Sequence, residues 1–309
     1  SIRDGAGALV YKNKMWLLGG WHPRDEIATY PKRCDNEVWS SNNAHDWQLI
    51  KSNTFNDGSF SSDSDWEGRH SAGYVVFQDK MWIIGGDAIQ GHYQGDIWNS
   101  EDGKNWLNVN TGNPVPWGPR ALFSTTVFDG KIWVMGGQTL PQFASAEEKV
   151  FNDVWNTSDG KNWVKVLDHA PWAPRGGIVG SAVFKDKMWI LGGGVYDLPD
   201  QPNRIFYNDV WSSADGVNWT NNSKSAPWSG RIYHSVTVFD DRLWIVAGGS
   251  EKSETNEVWY SDDGENWTEL PPSPWRQTHA ASVFAYNNSL ILLGGLQTGH
   301  EVWSLNLLQ

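Results

Sequence analysis

A pair of glycines closes a short apolar run six times along the chain: Gly19-Gly20, Gly85-Gly86, Gly136-Gly137, Gly192-Gly193, Gly248-Gly249 and Gly294-Gly295. Successive pairs lie 46 to 66 residues apart, a period too long for helical hairpin or leucine-rich repeats. No Pro/Ser-rich or low-complexity stretch interrupts the series, so the 309 residues are expected to form one closed domain.

Aligned on these pairs, each unit holds four short segments. Segment A opens on an Arg and ends on an aromatic, as in Arg69 to Phe77, Arg120 to Phe128 and Arg231 to Phe239. Segment B is Lys-Met-Trp-Leu-Leu-Gly-Gly from Lys14, segment C is Asn-Asp-Val-Trp from Asn152 and Asn208, and segment D follows an Asp-Gly-x-x-Trp turn, as at Asp102 and Asp159. The runs are rich in Val, Ile and Trp and are broken by Gly, Asn and Asp, which is strand-and-turn chemistry without a helical period.

These strands resemble kelch repeats, and the resemblance covers essentially the whole chain. It implies an all-β fold: a six-bladed β-propeller with four-stranded blades, in units of approximately 1–67, 68–117, 118–172, 173–228, 229–274 and 275–309. Segment D occurs only five times, so the last blade is expected to be incomplete or closed by a terminal strand. In size and blade count the chain is similar to bacterial six-bladed kelch proteins such as sialic-acid epimerases. The superfamily also hosts oxidases, lyases and protein-binding adaptors, so the fold alone does not name an activity.

Composition removes several classes of function. A net charge of −12 and a pI near 5.0 argue against nucleic acid, whose binding needs clustered positive charge. No apolar run reaches the length of a membrane span. Cys34 is the only cysteine, which excludes an internal disulfide and a Cys-built zinc cage. The Cys–Tyr cross-link and copper ligands of kelch oxidases have no counterpart around Cys34, so neither metal nor cofactor is expected. Acidic charge, no disulfide and abundant Trp fit a periplasmic or secreted bacterial protein.

In a four-stranded blade, the D-to-A and B-to-C connections emerge on one face. The B-to-C loops 21–35, 87–94, 138–151 and 194–207 are long and share no pattern, whereas the opposite turns are short and interchangeable. Binding and catalysis concentrate on such irregular loops over a rigid scaffold. Nine of ten Arg lie on or beside that face, favouring directional recognition of carboxylates there.

Subtracting the repeat leaves a short list of candidates. The lattice explains 21 of 22 Trp; Trp21, directly after Gly19-Gly20, is left over and could stack on a sugar ring or cover a loop. Arg24 and Arg204 have no counterpart in other units, and His22, His92 and Tyr93 fall in the irregular loops. Arg3, Arg69, Arg120, Arg175, Arg231 and Arg276 open segment A. They could form a positive ring at the channel mouth, Arg69, Arg231 and Arg276 touching substrate, or pair with the acids opening segment C (Glu37, Asp96, Asp153, Asp209, Glu257 and Glu301). Near the start of segment A stand His70, Tyr233, His234 and His279. His is suited to proton transfer near neutrality, so His234, His279 and Tyr233 are the catalytic candidates, with His70 beside them for substrate. The expected function is a carbohydrate-binding or carbohydrate-active propeller for a carboxylate-bearing small-molecule or oligosaccharide ligand, with epimerase, mutarotase or lyase chemistry as options. The alternative is a protein partner, its acidic peptide segments gripped on the same face.

Overall fold

The computed structural model describes residues 3–22, 34–55, 58–89, 92–139, 149–180, 182–196, 203–296 and 301–306. Six sheets surround a central channel, and within each blade the strands are antiparallel and hydrogen-bonded in chain order from the innermost outward; in addition Ile178–Gly180 of the fourth blade pairs parallel to His234–Phe239 of the fifth. The first blade, with strands Gly7–Tyr11, Lys14–Trp21, Cys34–Ser41 and Gln48–Lys51, is representative. Among the described residues the last sheet has three strands, Ser282–Tyr286, Ser289–Leu293 and Val302–Asn306.

Turn chemistry sets the register. The innermost hairpin of every blade closes on two residues with φ near +50°, such as Lys12-Asn13 (46° and 56°) and Asp240-Asp241 (49° and 53°). That is the twist-matched hairpin turn that Asn, Asp and Gly favour. On the second strand the glycine pair makes a bulge, with register shifts at Leu18/Gly20, Met135/Gly137, Leu191/Gly193 and Val246/Gly248. The fifth pair is therefore Ala247-Gly248, not Gly248-Gly249. Ala247 stands where the other blades have the first glycine, at φ 59°, a region that costs an L-residue with a side chain.

The Asp-Gly-x-x-Trp turn binds one blade to the next. Asp102 Oδ1 accepts from the Lys104 and Asn105 amides (2.9 and 2.8 Å), and Trp106 Nε1 donates to the Gly103 carbonyl (3.0 Å). A Cβ on Gly103 would meet Trp16 Cζ3 of the preceding blade at 2.4 Å, so only glycine lets the blades approach this closely. Apolar clusters fill the seams, one of them joining Phe77, Trp82 and Ile84 of the second blade to Ile132 and Val134 of the third.

The two readings of the Arg series are decided at five blades. Arg69 donates through Nη1 and Nη2 to Asp96 (2.5 and 2.9 Å), and its Nη1 also reaches the Gly85 carbonyl (2.9 Å). Arg3, Arg120, Arg175 and Arg231 repeat this with Glu37, Asp153, Asp209 and Glu257. The Trp two residues after each acid donates to the same carboxylate, as Trp98 does to Asp96 (2.7 Å). These guanidinium groups are buried, so each ties the bulge, the third strand and its Trp together within one blade. These five Arg therefore form no positive ring at the channel mouth. At the sixth blade the equivalent position is Thr278, fully buried, and Arg276 lies two residues upstream, exposed and off the lattice.

One further set of bonds closes the circle. Ser71 N donates to Gly5 O, Leu122 N to Ser71 O, Gly177 N to Leu122 O, Tyr233 N to Gly177 O, Ala280 N to Tyr233 O and Gly5 N to Ala280 O, at 2.5 to 3.2 Å. Each blade contributes one residue, and all six have φ between 50° and 74°. This ring of peptide hydrogen bonds crosses the channel. Ser71, Leu122 and Tyr233 of the ring line both the large cavity on the long-loop side and a small one of about 70 Å³ on the other.

Candidate functional site

Above the ring lies a cavity of about 600 Å³, of ordinary size for a small-molecule site. Most of its lining comes from three kinds of position that follow from the register. The residue before each ring member forms a layer: Asp4, His70, Ala121, Gly176, Ile232 and His279. The residue after each bulge, among them Trp21, Asp87, Gly249 and Leu296, pairs with it through the backbone, as in the Asp4–Trp21 and His70–Asp87 bridges. The ring residues supply the floor. The layer's members that line the cavity are polar over three adjacent blades (His279, Asp4, His70) and apolar at Ile232. Aromatic walls rise around it from Trp21, Tyr93, Tyr196, Phe206 and Tyr233.

His279 is clamped by two carboxylates, with Nδ1 2.5 Å from Glu254 Oε1 and Nε2 3.4 Å from Asp4 Oδ2. Burial pulls its pKa down, but the hydrogen bonds and charges of Asp4 and Glu254 outweigh that and raise it to about 9. It is therefore an imidazolium at neutral pH. His70 is held differently. Its Nδ1 lies 3.0 Å from the Asp87 carbonyl and 3.3 Å from Asp87 Oδ1. Burial raises the Asp87 pKa, partly offset by the charge of His70. Asp87 Oδ1 and Glu254 Oε2 accept no hydrogen bond among the described residues.

On the opposite wall, Arg204 stacks over Tyr196 at 4.3 Å, Tyr196 meets Tyr233 edge-on at 5.7 Å, and Tyr233 lies against His279 at 5.4 Å. A guanidinium and an imidazolium thus bracket two phenol rings. Lys252, Glu251 and Ser253 complete the rim.

The structure brings Trp21, His70, Tyr93, Arg204, Tyr233 and His279 into this cavity and leaves other candidates outside it. His234 is fully buried in the blade seam, bonded through Nε2 to the Leu191 carbonyl (2.8 Å). Desolvation, then the charge of Arg231, lowers its pKa to about 3, so it is a neutral packing residue against Trp228. Arg69 and Arg231 are locked inside their blades, and Arg276 does not line the cavity. His22 pairs with Asp35, and His92 with Glu67 at 2.9 Å, both away from the cavity lining. Arg24 lies outside the described residues.

Asp4, Asp87, Tyr196, Phe206 and Glu254 were not singled out from the sequence. Asp4 and Asp87 were within reach: one follows Arg3 as His70 follows Arg69, and the other follows Gly85-Gly86 as Trp21 follows Gly19-Gly20. Among the described residues no cluster of three or more His, Cys, Asp or Glu side chains is placed to hold a metal ion. Among the described residues no helix is long and apolar enough to cross a membrane.

No protein-family profile matches the chain. It is 25% identical over 203 residues to N-acetylneuraminate epimerase 2 of Escherichia coli O6:H1, covering 56% of this chain and 52% of that protein. It is 21% identical over 320 residues to beta-scruin of Limulus polyphemus, covering 98% of this chain and 26% of that protein. Acyl-CoA-binding domain-containing protein 4 of Arabidopsis thaliana is 27% identical over 195 residues, 59% of this chain and 27% of that protein. The matched stretch spans about half the length of the bacterial epimerase and less of the other two. Together with the six sheets, these likenesses make the chain a six-bladed β-propeller of the kelch type.

Proposed function

We propose that the chain is a carbohydrate-binding propeller that takes one carboxylate-bearing sugar unit into the central cavity and interconverts its stereochemistry by proton transfer. The observation that carries this reading is the two-sided layer above the ring. A sugar has an edge of hydroxyl donors and a face of C–H groups. Asp4, Asp87 and Glu254 bring carboxylates to the polar side, while Trp21, Tyr93 and Tyr196 offer aromatic faces. Arg204 and Lys252 at the rim are the cations for the carboxylate. The likeness to N-acetylneuraminate epimerases supports a carbohydrate in this place.

The two cavity histidines suit opposite halves of such a reaction. His279 carries its proton at neutral pH and is positioned to donate it or to stabilise a developing oxyanion. His70, held through Nδ1 by the Asp87 carbonyl, is the second histidine of the cavity and the candidate base. Tyr233, whose pKa burial drives well up, stays a neutral hydroxyl beside His279. The peptide-gripping alternative loses its main support with the Arg ring, because five of those Arg are consumed inside the blades.

Calorimetric titration with N-acetylneuraminate, glucuronate and galacturonate, beside neutral galactose, tests binding. Anomer exchange of any bound sugar followed by NMR tests turnover. Arg204→Ala is expected to weaken the acidic sugars at least about tenfold and spare the neutral one, and His70→Ala to abolish exchange while leaving binding. Failure of all three acidic sugars to bind would overturn the proposal.

A further inference from the structure

In the first two blades the residue after the glycine pair, Trp21 or Asp87, lines the large cavity. In the third blade that residue is Gln138, which is fully buried and lies outside the lining. Its backbone makes the usual bridge to the layer residue Ala121, with the two N–H···O bonds at 3.0 and 3.1 Å. The difference is therefore not one of register. It comes from what covers the side chain: Tyr93 of the second blade packs with Ala121 and Leu122 in one apolar cluster, and Tyr196 and Tyr233 lie against it.

An amide side chain buried beside such a cluster costs free energy unless it finds partners. Gln138 Oε1 accepts from the backbone N–H of Tyr196, in the fourth blade, at 3.0 Å. The Tyr93 hydroxyl meets the same side chain, a contact that offsets part of the rise that burial imposes on its pKa. Glutamine can accept and donate at once, which an ionised carboxylate of the same length cannot. One side chain of the third blade thus links the aromatic walls that the second and fourth blades bring to the cavity. More depends on Tyr196 than its own ring, because Arg204 stacks on it at 4.3 Å.

We propose that Gln138 is a positioning residue for specificity. Without touching the ligand, it holds Tyr196 so that Arg204 stands where a carboxylate can reach it, and so sets the preference for acidic over neutral sugars. This rests on the reading of the cavity as an acidic-sugar site. A residue that only filled the seam would alter stability and the binding of every ligand, and would leave the preference where it was.

The test is a double-mutant cycle on the intact chain. Gln138→Met keeps the length of the side chain and removes its amide. Parent, Gln138→Met, Arg204→Ala and the double variant are titrated with N-acetylneuraminate, glucuronate, galacturonate and neutral galactose. Gln138→Met is expected to weaken the acidic sugars about fivefold or more and galactose less than about twofold. Once Arg204 is already Ala, the same change should add less than about twofold, because both act through one contact. In anomer exchange it should raise KM for the acidic sugar with little change in kcat. Should Gln138→Met fail to fold, Gln138→Asn, one methylene shorter and still an amide, is expected to show the same loss through the gap it opens to Tyr196. Equal weakening of acidic and neutral sugars, or an undiminished effect beside Arg204→Ala, would overturn the role of Gln138 and leave the sugar reading standing. A parent chain that binds none of the acidic sugars overturns both.

Discussion

Replacing His279 by Gln tests the clamp that joins the first, fifth and sixth blades over the ring. Its imidazole is 18% exposed and titrates near 9 when folded against 6.5 for the free side chain. That difference corresponds to about 3 kcal/mol of differential stability. Because the folded pKa is the higher one, this contribution is fully present below about pH 6.5, declines above it and is gone once the pH has risen through about 9. Gln cannot carry the charge, so His279→Gln should lose about 3 kcal/mol below pH 6.5 and converge on the parent toward pH 9.5. Urea unfolding of both proteins at intervals across this range measures the gap directly. A gap that stays constant from pH 6.5 to 9.5 would refute the assignment of His279 as the charged member of the clamp.

Ala247→Gly should stabilise the chain by about 0.5–1 kcal/mol by relieving the left-handed alanine at φ 59°, visible as a higher melting temperature. Arg69→Leu leaves Asp96 without its bidentate partner and should cost about 3–5 kcal/mol. Asp96→Asn, which keeps an acceptor for Arg69 and Trp98, should cost less in the same denaturation assay. Cys34 is fully buried, its S–H bonded to the Ala88 carbonyl at 3.0 Å, and burial and nearby carboxylates raise its pKa well up. A thiol-specific reagent should therefore label it only after unfolding.

The blades and the face that carries the large cavity were legible because both depend on local rules: hairpin turns, glycine bulges and the contrast between short and long connections. The errors arose where a nearby identical residue was preferred to the register. Five residues beyond the residue that opens each second strand lie Gly19, Gly85, Gly136, Gly192 and Gly294, and the same count from Arg242 lands on Ala247. Eight residues separate Arg69 from Phe77 and Arg231 from Phe239, and eight back from Tyr286 is Thr278, not Arg276. Both spacings were available. The clamp on His279 was not, because Asp4 and Glu254 reach it from other blades and no local pattern links residues so far apart in the chain. For the same reason His234 resembled its neighbours in sequence, although a one-residue step from the ring turns it from the cavity into the seam.

The circle of six backbone hydrogen bonds beneath the cavity also bears on how a ligand there would be recognised. Every amide in it already has an acceptor, so a ligand resting there finds no vacant main-chain donor, and the floor is mute about what lies on it. Chemical identity is read by side chains alone, at the same few positions in each blade. Such a site can be rewritten one side chain at a time without disturbing the bonds that hold the blades in a circle, so one frame can serve unlike ligands.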